Sequence, residues 1–417
     1  MEKSGKFRLT SLERNWILYD VGNSAFVLMV ATLIPIFFNA LAAAGGLSSV
    51  EYLAYWGYAS SAVTVITAVL SPILGTVADT KGFKKPIFIL CVFVGIVGCC
   101  AMGAASAWLP FLVIFVIAKV GFSGSLVFYD SMLSDVTTPE RMDEVSSRGY
   151  AWGYIGSCVP FVVCLGLVLG AGSIGISQMT ALNLALLLTA AWWLLTTLPL
   201  LKSYKQLYYV EVEKHAVRQS FARIGHTLRH LPEDKQVFWF LLAFFCYIDG
   251  VYTIIDMATA YGTALGLDTT GLLLALLVTQ IVAFPSALIF GRLSNKYPSA
   301  KLIPVCIAAY AGIAVFAFFL TRQWQFWVLA VIVGMFQGGV QALSRSHFAK
   351  IIPPEKSGEY FGLFDICGKG ASFLGTMIVS VGSQLTGSAN VGVGSLIVLF
   401  IVGFVLFRVS FRQGETV

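Results

Sequence analysis

A few ionisable and amide side chains stand inside long apolar runs, and they are the residues of this chain that can do chemistry. Asp20 and Asn23 lie in Tyr19-Asp20-Val21-Gly22-Asn23-Ser24, Lys119 lies alone in an apolar stretch, and Asp249 follows Tyr247-Ile248 with Asp256 beyond it. Gln337, Gln341 and Arg345 recur every fourth residue, as do Asp365 and Lys369, so each set shares one helical face. A charge buried in apolar surroundings must be paired, neutralised or met by a ligand. Lysine offers a partner for a carboxylate and aspartate one for an ammonium, so Asp20, Asn23, Lys119, Asp249, Gln337, Gln341 and Lys369 together suit a small zwitterion. Asp249 and Asp365 are the candidates to carry a coupling proton, because burial raises a carboxyl pKa toward the range where it can release.

Each residue also has a plainer reading. Asp20 is equally an interfacial residue capped by a neighbouring helix or by Arg14, Lys119 a partner in a structural ion pair, and Asp365–Lys369 a self-neutralising pair. Arg345, near a span end, is expected to reach Asp365 or Glu359 as a gate. Asp130 and Asp135 are expected in a loop network with Arg141 and Arg148.

Enzyme chemistry finds no foothold. The four histidines lie in loops or at span ends, and no zinc motif, Ser-His dyad or nucleotide-binding loop is present. Eight cysteines lack paired C-x-x-C spacing, so no metal or disulfide framework is expected. Tyr19-Asp20 with Gly362-Leu363-Phe364-Asp365 is superficially like the paired aspartates of intramembrane aspartyl proteases, but Phe364 stands where those enzymes carry glycine and Lys369 would neutralise the acid. No cofactor is implied. A transporter-like receptor or lipid scramblase is a further reading, which the midplane charges disfavour for a purely lipidic substrate.

The elements that must position these residues are membrane helices. Hydrophobic residues make up 58% of the chain and charged residues 12%, against about 25% charged in soluble domains. Twelve apolar segments reach the roughly 20 residues a spanning helix needs: 15–41, 53–78, 86–106, 109–133, 150–171, 180–200, 237–264, 270–291, 302–320, 325–347, 360–385 and 391–408. Asp249 and Lys119 fall near the middle of theirs, and Asp20 lies shallower. All but three of the 27 Lys and Arg lie in the N-terminal tail, in or beside the even-numbered connections, or at the C-terminus; the exceptions are Arg322, Lys119 and Lys369. That asymmetry predicts cytoplasmic termini. It also explains the net charge of +6 without nucleic acid. The polar tail Met1–Arg14 reads as cytoplasmic rather than as a signal peptide. The basic stretch 202–235 joins residues 1–201 to 236–417 as a linker, part of it expected as an amphipathic helix on the inner leaflet.

The halves repeat. Gly75-Thr76-Val77-Ala78-Asp79-Thr80-Lys81-Gly82-Phe83-Lys84-Lys85 returns 216 residues on as Gly291-Arg292-Leu293-Ser294-Asn295-Lys296, and Gly124 and Pro139 have counterparts in Gly338 and Pro353. Gly-x-x-x-Asp followed by Gly and two basic residues, between the second and third spans, resembles the signature loop of the major facilitator superfamily. The resemblance implies that Gly75 lets two helices approach, that Asp79 caps a helix of the opposite half, and that Lys84 and Lys85 supply the basic end of a gate. In the second copy Asn295 replaces the aspartate.

Gln-Ala-Leu-Ser-Arg-Ser (341–346), the Ile-Pro-Pro turn, Glu-Tyr-Phe-Gly-Leu (359–363), Gly-Lys (368–369) and Ser-Arg-Gly-Tyr-Ala-Trp-Gly-Tyr-Ile-Gly (147–156) resemble the vacuolar amino-acid effluxer, or autophagy-related, branch of that superfamily and its bacterial relatives. The likeness runs over essentially the whole chain. It implies an all-α integral membrane protein of two pseudo-repeated six-helix bundles, working by alternating access, with spans one, four, seven and ten lining a central cavity. The expected setting is a bacterial plasma membrane, the expected state a monomer, and the expected partners the lipid bilayer, a small solute and protons.

Overall fold

The computed structural model describes residues 7–211, 224–227 and 229–414. Among them twelve helices are long and apolar enough to cross a membrane: α1 Ser11–Ala44, α2 Ala54–Ala78, α3 Lys84–Gly103, α4 Trp108–Ser131, α5 Met142–Leu169, α6 Gln178–Ser203, α7 Lys235–Ala258, α8 Leu274–Leu293, α9 Ser299–Phe318, α10 Gln323–Ile351, α11 Pro354–Thr386 and α12 Ala389–Gly414. They form two six-helix bundles, α1–α6 and α7–α12, with α2 against α11 and α5 against α8 across the interface. Leu, Phe, Val and Ala exposed at the perimeter, such as Leu195, Val65 and Phe93, face outward. Lipid is as apolar as a protein core, so such a surface is stable only in a bilayer.

Local chemistry sets the helix ends. Thr10 and Glu13 form a reciprocal capping box at the start of α1. Glu13 also accepts from Arg141 at 2.7 Å and from Thr137 at 2.6 Å, which ties α1 to the connection before α5. Within α1 the backbone breaks at Thr32, whose hydroxyl donates to the Leu28 carbonyl. Pro35, three residues later, has no N–H to continue the ladder and crowds the preceding turn. Gly82, at φ +78, makes the tight turn from α2 into α3.

The fifth helix starts at Met142, eight residues before the apolar run expected at 150. Its first two turns carry Asp143, Glu144, Ser146 and Ser147, all buried. They are helical because three of these four polar groups hydrogen-bond to the other bundle instead of water: Ser346 donates to Asp143 at 2.6 Å, Asn295 to Glu144 at 2.8 Å, and Ser146 to the Ala342 carbonyl at 2.8 Å. Apolar periodicity cannot detect a helix whose buried face is polar.

The start of the linker is docked rather than loose. Residues 204–211 run under the α2–α3 turn. Tyr204 OH and the Leu207 and Tyr208 amides donate to Asp135, and Val210 exchanges backbone hydrogen bonds with Asp79 and Lys81. Of the remaining linker, for part of which an amphipathic helix is expected, residues 224–227 and 229–230 are helical and residues 212–223 lie outside the described residues.

Candidate functional site

The side of the bundle that carries the Lys- and Arg-rich connections, the basic face, is sealed by contacts between the halves. Asp79 lies just past the end of α2, fully buried. Its two carboxylate oxygens accept from the amides of Gly358 and Glu359 at 2.7 and 2.8 Å, at the start of α11. Those amides lack partners within their own helix, and the positive end of the helix dipole favours an anion there. The approach depends on glycine: a Cβ on Gly75 would lie 2.1 Å from the Gly358 carbonyl oxygen. Lys84, also fully buried, donates to Ser357 at 2.8 Å and stands 3.7 Å from Asp79 and 3.6 Å from Asp135. Lys85 points elsewhere, toward the Tyr204 carbonyl at 3.4 Å. Burial dominates the setting of the Asp79 carboxyl and lifts it to about 7, with Lys84 and the two amides opposing.

The repeated copy meets α5 in the same manner. Gly291 packs on Ser147, where a Cβ would come within 2.8 Å, and Asn295 donates to Glu144. Asn295 is exposed.

Arg345 of α10 crosses the interface at the centre of the seal. Its guanidinium donates to Asp130 at 2.9 Å and to the Ser146 hydroxyl and carbonyl at 2.9 and 3.0 Å, with Asp20 at 3.7 Å. The expected partners Asp365 and Glu359 are not the ones it takes. Equally, Asp130 and Asp135 do not join Arg141 and Arg148. Asp130 holds Arg345 and Asp135 faces Lys84, while Arg141 pairs with Glu13 and Arg148 with Glu144. Arg148 takes a partner one turn away on its own helix, whereas Arg345, Lys84 and Arg141 take partners on other elements that sequence spacing does not indicate.

Beyond the seal lies a central cavity of about 380 Å³ between the halves, within the range usual for small-molecule sites. Asp20, Asn23, Gln337, Gln341, Asp365 and Lys369 all line it, so the structure brings six of the expected residues to one wall. Spans α1, α4, α7 and α10 contribute, and so do α5 and α11. Lys369 grips Asp365 at 2.6 Å, and Ser71 from the other half donates to the same carboxylate at 2.7 Å. Gln341 accepts from Tyr154 of α5 at 3.1 Å.

Two expected residues stand apart. Asp249 is absent from the cavity wall: Gly375 of α11 donates its amide to it at 2.8 Å, and Thr253 donates at 3.3 Å. Gly375 allows this closure, since a Cβ there would sit 2.1 Å from the Thr253 hydroxyl. Asp256, one heptad further along α7, lines the cavity in its place. Lys119 lies off the wall with its ammonium 4.7 Å from the Phe122 ring centre, and Asp256 and Lys369 are the charged groups that act on it. Sequence reading missed Asp130, Tyr150, Tyr154 and Asp256 as wall residues. Asp256 carried a usable signal, an acid in an apolar run; the tyrosines carried none, because tyrosine is common in membrane helices.

The family described as "Vacuole effluxer Atg22 like" matches residues 11–142 and 134–416. The chain is 42% identical over 414 residues, 98% of its own length and 96% of the relative's, to the uncharacterized MFS-type transporter YxiO of Bacillus subtilis. It is 25% identical over 315 residues to the autophagy-related protein 22 of Coccidioides immitis, covering 65% of this chain and about half (51%) of that protein. Among solved structures it resembles the human organic anion transporter MFSD10 (TM-score 0.71, 14% identity, 95% of this chain and 98% of the other). It also resembles FucP in the outward conformation (TM-score 0.71, 16% identity, 96% and 97%). At these identities the structures speak to fold alone.

Proposed function

The chain belongs to the Atg22-like effluxer family of major facilitator transporters, and from that premise we propose that it moves a small polar or zwitterionic solute, such as an amino acid, by proton-coupled alternating access. The observation that carries this reading is the Asp365–Lys369 pair on the cavity wall, bridged to Ser71 of the opposite half. A proton on Asp365 would remove the charge that holds Lys369 and weaken the bond from Ser71. It would thereby free a cation for the solute's carboxylate and loosen one tie between the halves at the same time. A solute carboxylate arriving at Lys369 favours the same change, which is how a proton and a solute come to be moved together. Asp249, held against Gly375, fits a structural tie within the second half better than a coupling group.

The positive-inside rule places the basic face and both termini in the cytoplasm, and the relation to a bacterial transporter fits a plasma membrane. With the basic face sealed, the cavity would communicate with the opposite side, and the halves would rock about the central site to expose it inward. The test is flux of labelled amino acids in proteoliposomes of purified protein, with and without an imposed pH gradient. The reading requires accumulation that follows the gradient in the wild type and loses that dependence in Asp365→Asn. Gradient-driven flux unchanged in that variant would refute Asp365 as the coupling carboxylate, and no amino-acid flux from folded protein would refute the solute class.

A further inference from the structure

A charge of the second half, Arg345, sits in a container built by the first. The Arg345 guanidinium comes from the second half, yet almost everything around it comes from the first. Its central carbon lies 4.7 Å from the Trp16 ring, 5.4 Å from Tyr129 and 4.3 Å from Tyr150. Trp16 and Tyr129 stack on each other at 4.3 Å and 15°, and Trp16 donates to the Tyr129 carbonyl at 2.9 Å, so these two walls are fixed independently of the arginine. Asp130 and Asp20 close the polar side. Gly149 leaves the space, because a Cβ there would come within 3.1 Å of the Arg345 Nη2 and 3.0 Å of Asp20.

Any movement that parts the halves at the basic face withdraws Arg345 and leaves this cage standing. Aromatic faces with two carboxylates form a receptor for a soft organic cation. The cage also opens onto the transport cavity, since Asp20, Asp130 and Tyr150 line it together with Arg345. Among the described residues that wall carries four carboxylates (Asp20, Asp130, Asp256, Asp365) against two cations (Arg345, Lys369). Removing Arg345 leaves a marked excess of acid, and leaves it in the cage.

We infer that the Trp16–Tyr129–Tyr150 cage with Asp20 and Asp130 is a subsite for a guanidinium or similar organic cation on the transported solute, and that Arg345 is its resident competitor in the sealed state. The inference builds on the transporter reading and narrows the solute to one with a cationic group. It also supplies a reason to open: a solute cation that takes the cage displaces the arginine that holds the halves together.

Agmatine, a guanidinium compound with no carboxylate, probes the cage without requiring that amino acids be the solute. In full-length protein in nanodiscs, Arg345→Ala should bind labelled agmatine at least about tenfold tighter than the wild type, and adding Trp16→Leu should abolish the gain. L-arginine should outcompete citrulline, its isostere with an uncharged side chain, in the same variant. No gain in Arg345→Ala, or a gain that survives Trp16→Leu, would overturn the inference and leave Asp20 and Asp130 neutralised by protons instead. Should Arg345→Ala fail to elute as a single folded species, Arg345→Lys, which stacks less well on the rings, should show a smaller gain, and its absence is equally decisive. Absence of amino-acid flux in the wild type would strike the solute class alone and leave the agmatine result standing.

Discussion

The two copies of the repeated loop do the same job with opposite electrostatics. In the first, Asp79 is a buried acceptor for two backbone amides of α11, with a buried lysine beside it. In the second, Asn295 is an exposed donor to a carboxylate of α5. The glycines differ in parallel: at Gly75 the obstacle to a side chain is backbone at 2.1 Å, and at Gly291 it is the Ser147 side chain at 2.8 Å. The first contact is charged and fully buried on both sides; in the second the acceptor Glu144 is buried and the donor Asn295 is exposed and neutral. Of the two loop contacts, the first should weigh more in whether the basic face is open or closed.

The largest expected effect follows from that inequality. Asp79→Ala strands two buried amides and takes from the buried Lys84 one of its two carboxylates, and breaking a buried pair costs about 3–5 kcal/mol, so the sealed population should fall by more than about a hundredfold. Asn295→Ala loses one exposed hydrogen bond, worth about 1 kcal/mol, and should shift the same population by less than about tenfold. Spin-label distances across the face measure both, and equal effects would break the comparison. Next in size, Gly75→Ala should force α2 from α11 and raise accessibility of Ser357 to thiol reagents when replaced by cysteine. Gly291→Ala should have a milder effect on the equivalent α5–α8 contact, because the Ser147 Cβ it would meet lies at 2.8 Å, and a smaller helix shift relieves that than relieves 2.1 Å at Gly75.

A smaller effect separates the copies by pH. Burial lifts the sealed-state Asp79 carboxyl to about 7, whereas in an opened face it meets water and titrates near the ordinary 3.8. The sealed form therefore holds a proton that the open form releases. Its advantage is full below about pH 4 and is lost as the pH rises toward 7. Asp79→Asn should remove that part of the pH dependence, and Asn295→Ala should leave it in place. A sealed population independent of pH in the wild type would contradict the assignment.

Much of this was legible in the sequence, for identifiable reasons. Twelve spans follow from apolar length, and the loop copies were visible because glycine and a polar cap are required where helices meet end-on. Asp20, Gln337, Gln341, Asp365 and Lys369 reach one cavity because polar groups in apolar helices have nowhere else to go. Partner choice was not legible. Arg345 could not be matched to Asp130, 215 residues away, because nothing in the pattern of either helix encodes how the halves rotate against each other. Nor could Asp249 be told from Asp256. The two share a helical face, and only the approach of α11 at Gly375 decides which is covered and which lines the cavity. The polar start of α5 was hidden for the same reason: its environment is another bundle, and the sequence of one helix does not state the polarity of its neighbour.

The Asp79 contact is expected to be the principal loop lock as the basic face opens and closes. Double electron–electron resonance between labels at Lys81 and Glu355, which flank that contact, measures this most directly. The wild type should show one short distance, Asp79→Ala should convert most of it to a longer one, and Asn295→Ala should leave the short distance predominant. A single unchanged distance in all three proteins would contradict the account, because the contact built from Gly75, Asp79 and Lys84 would then not control the movement of the halves.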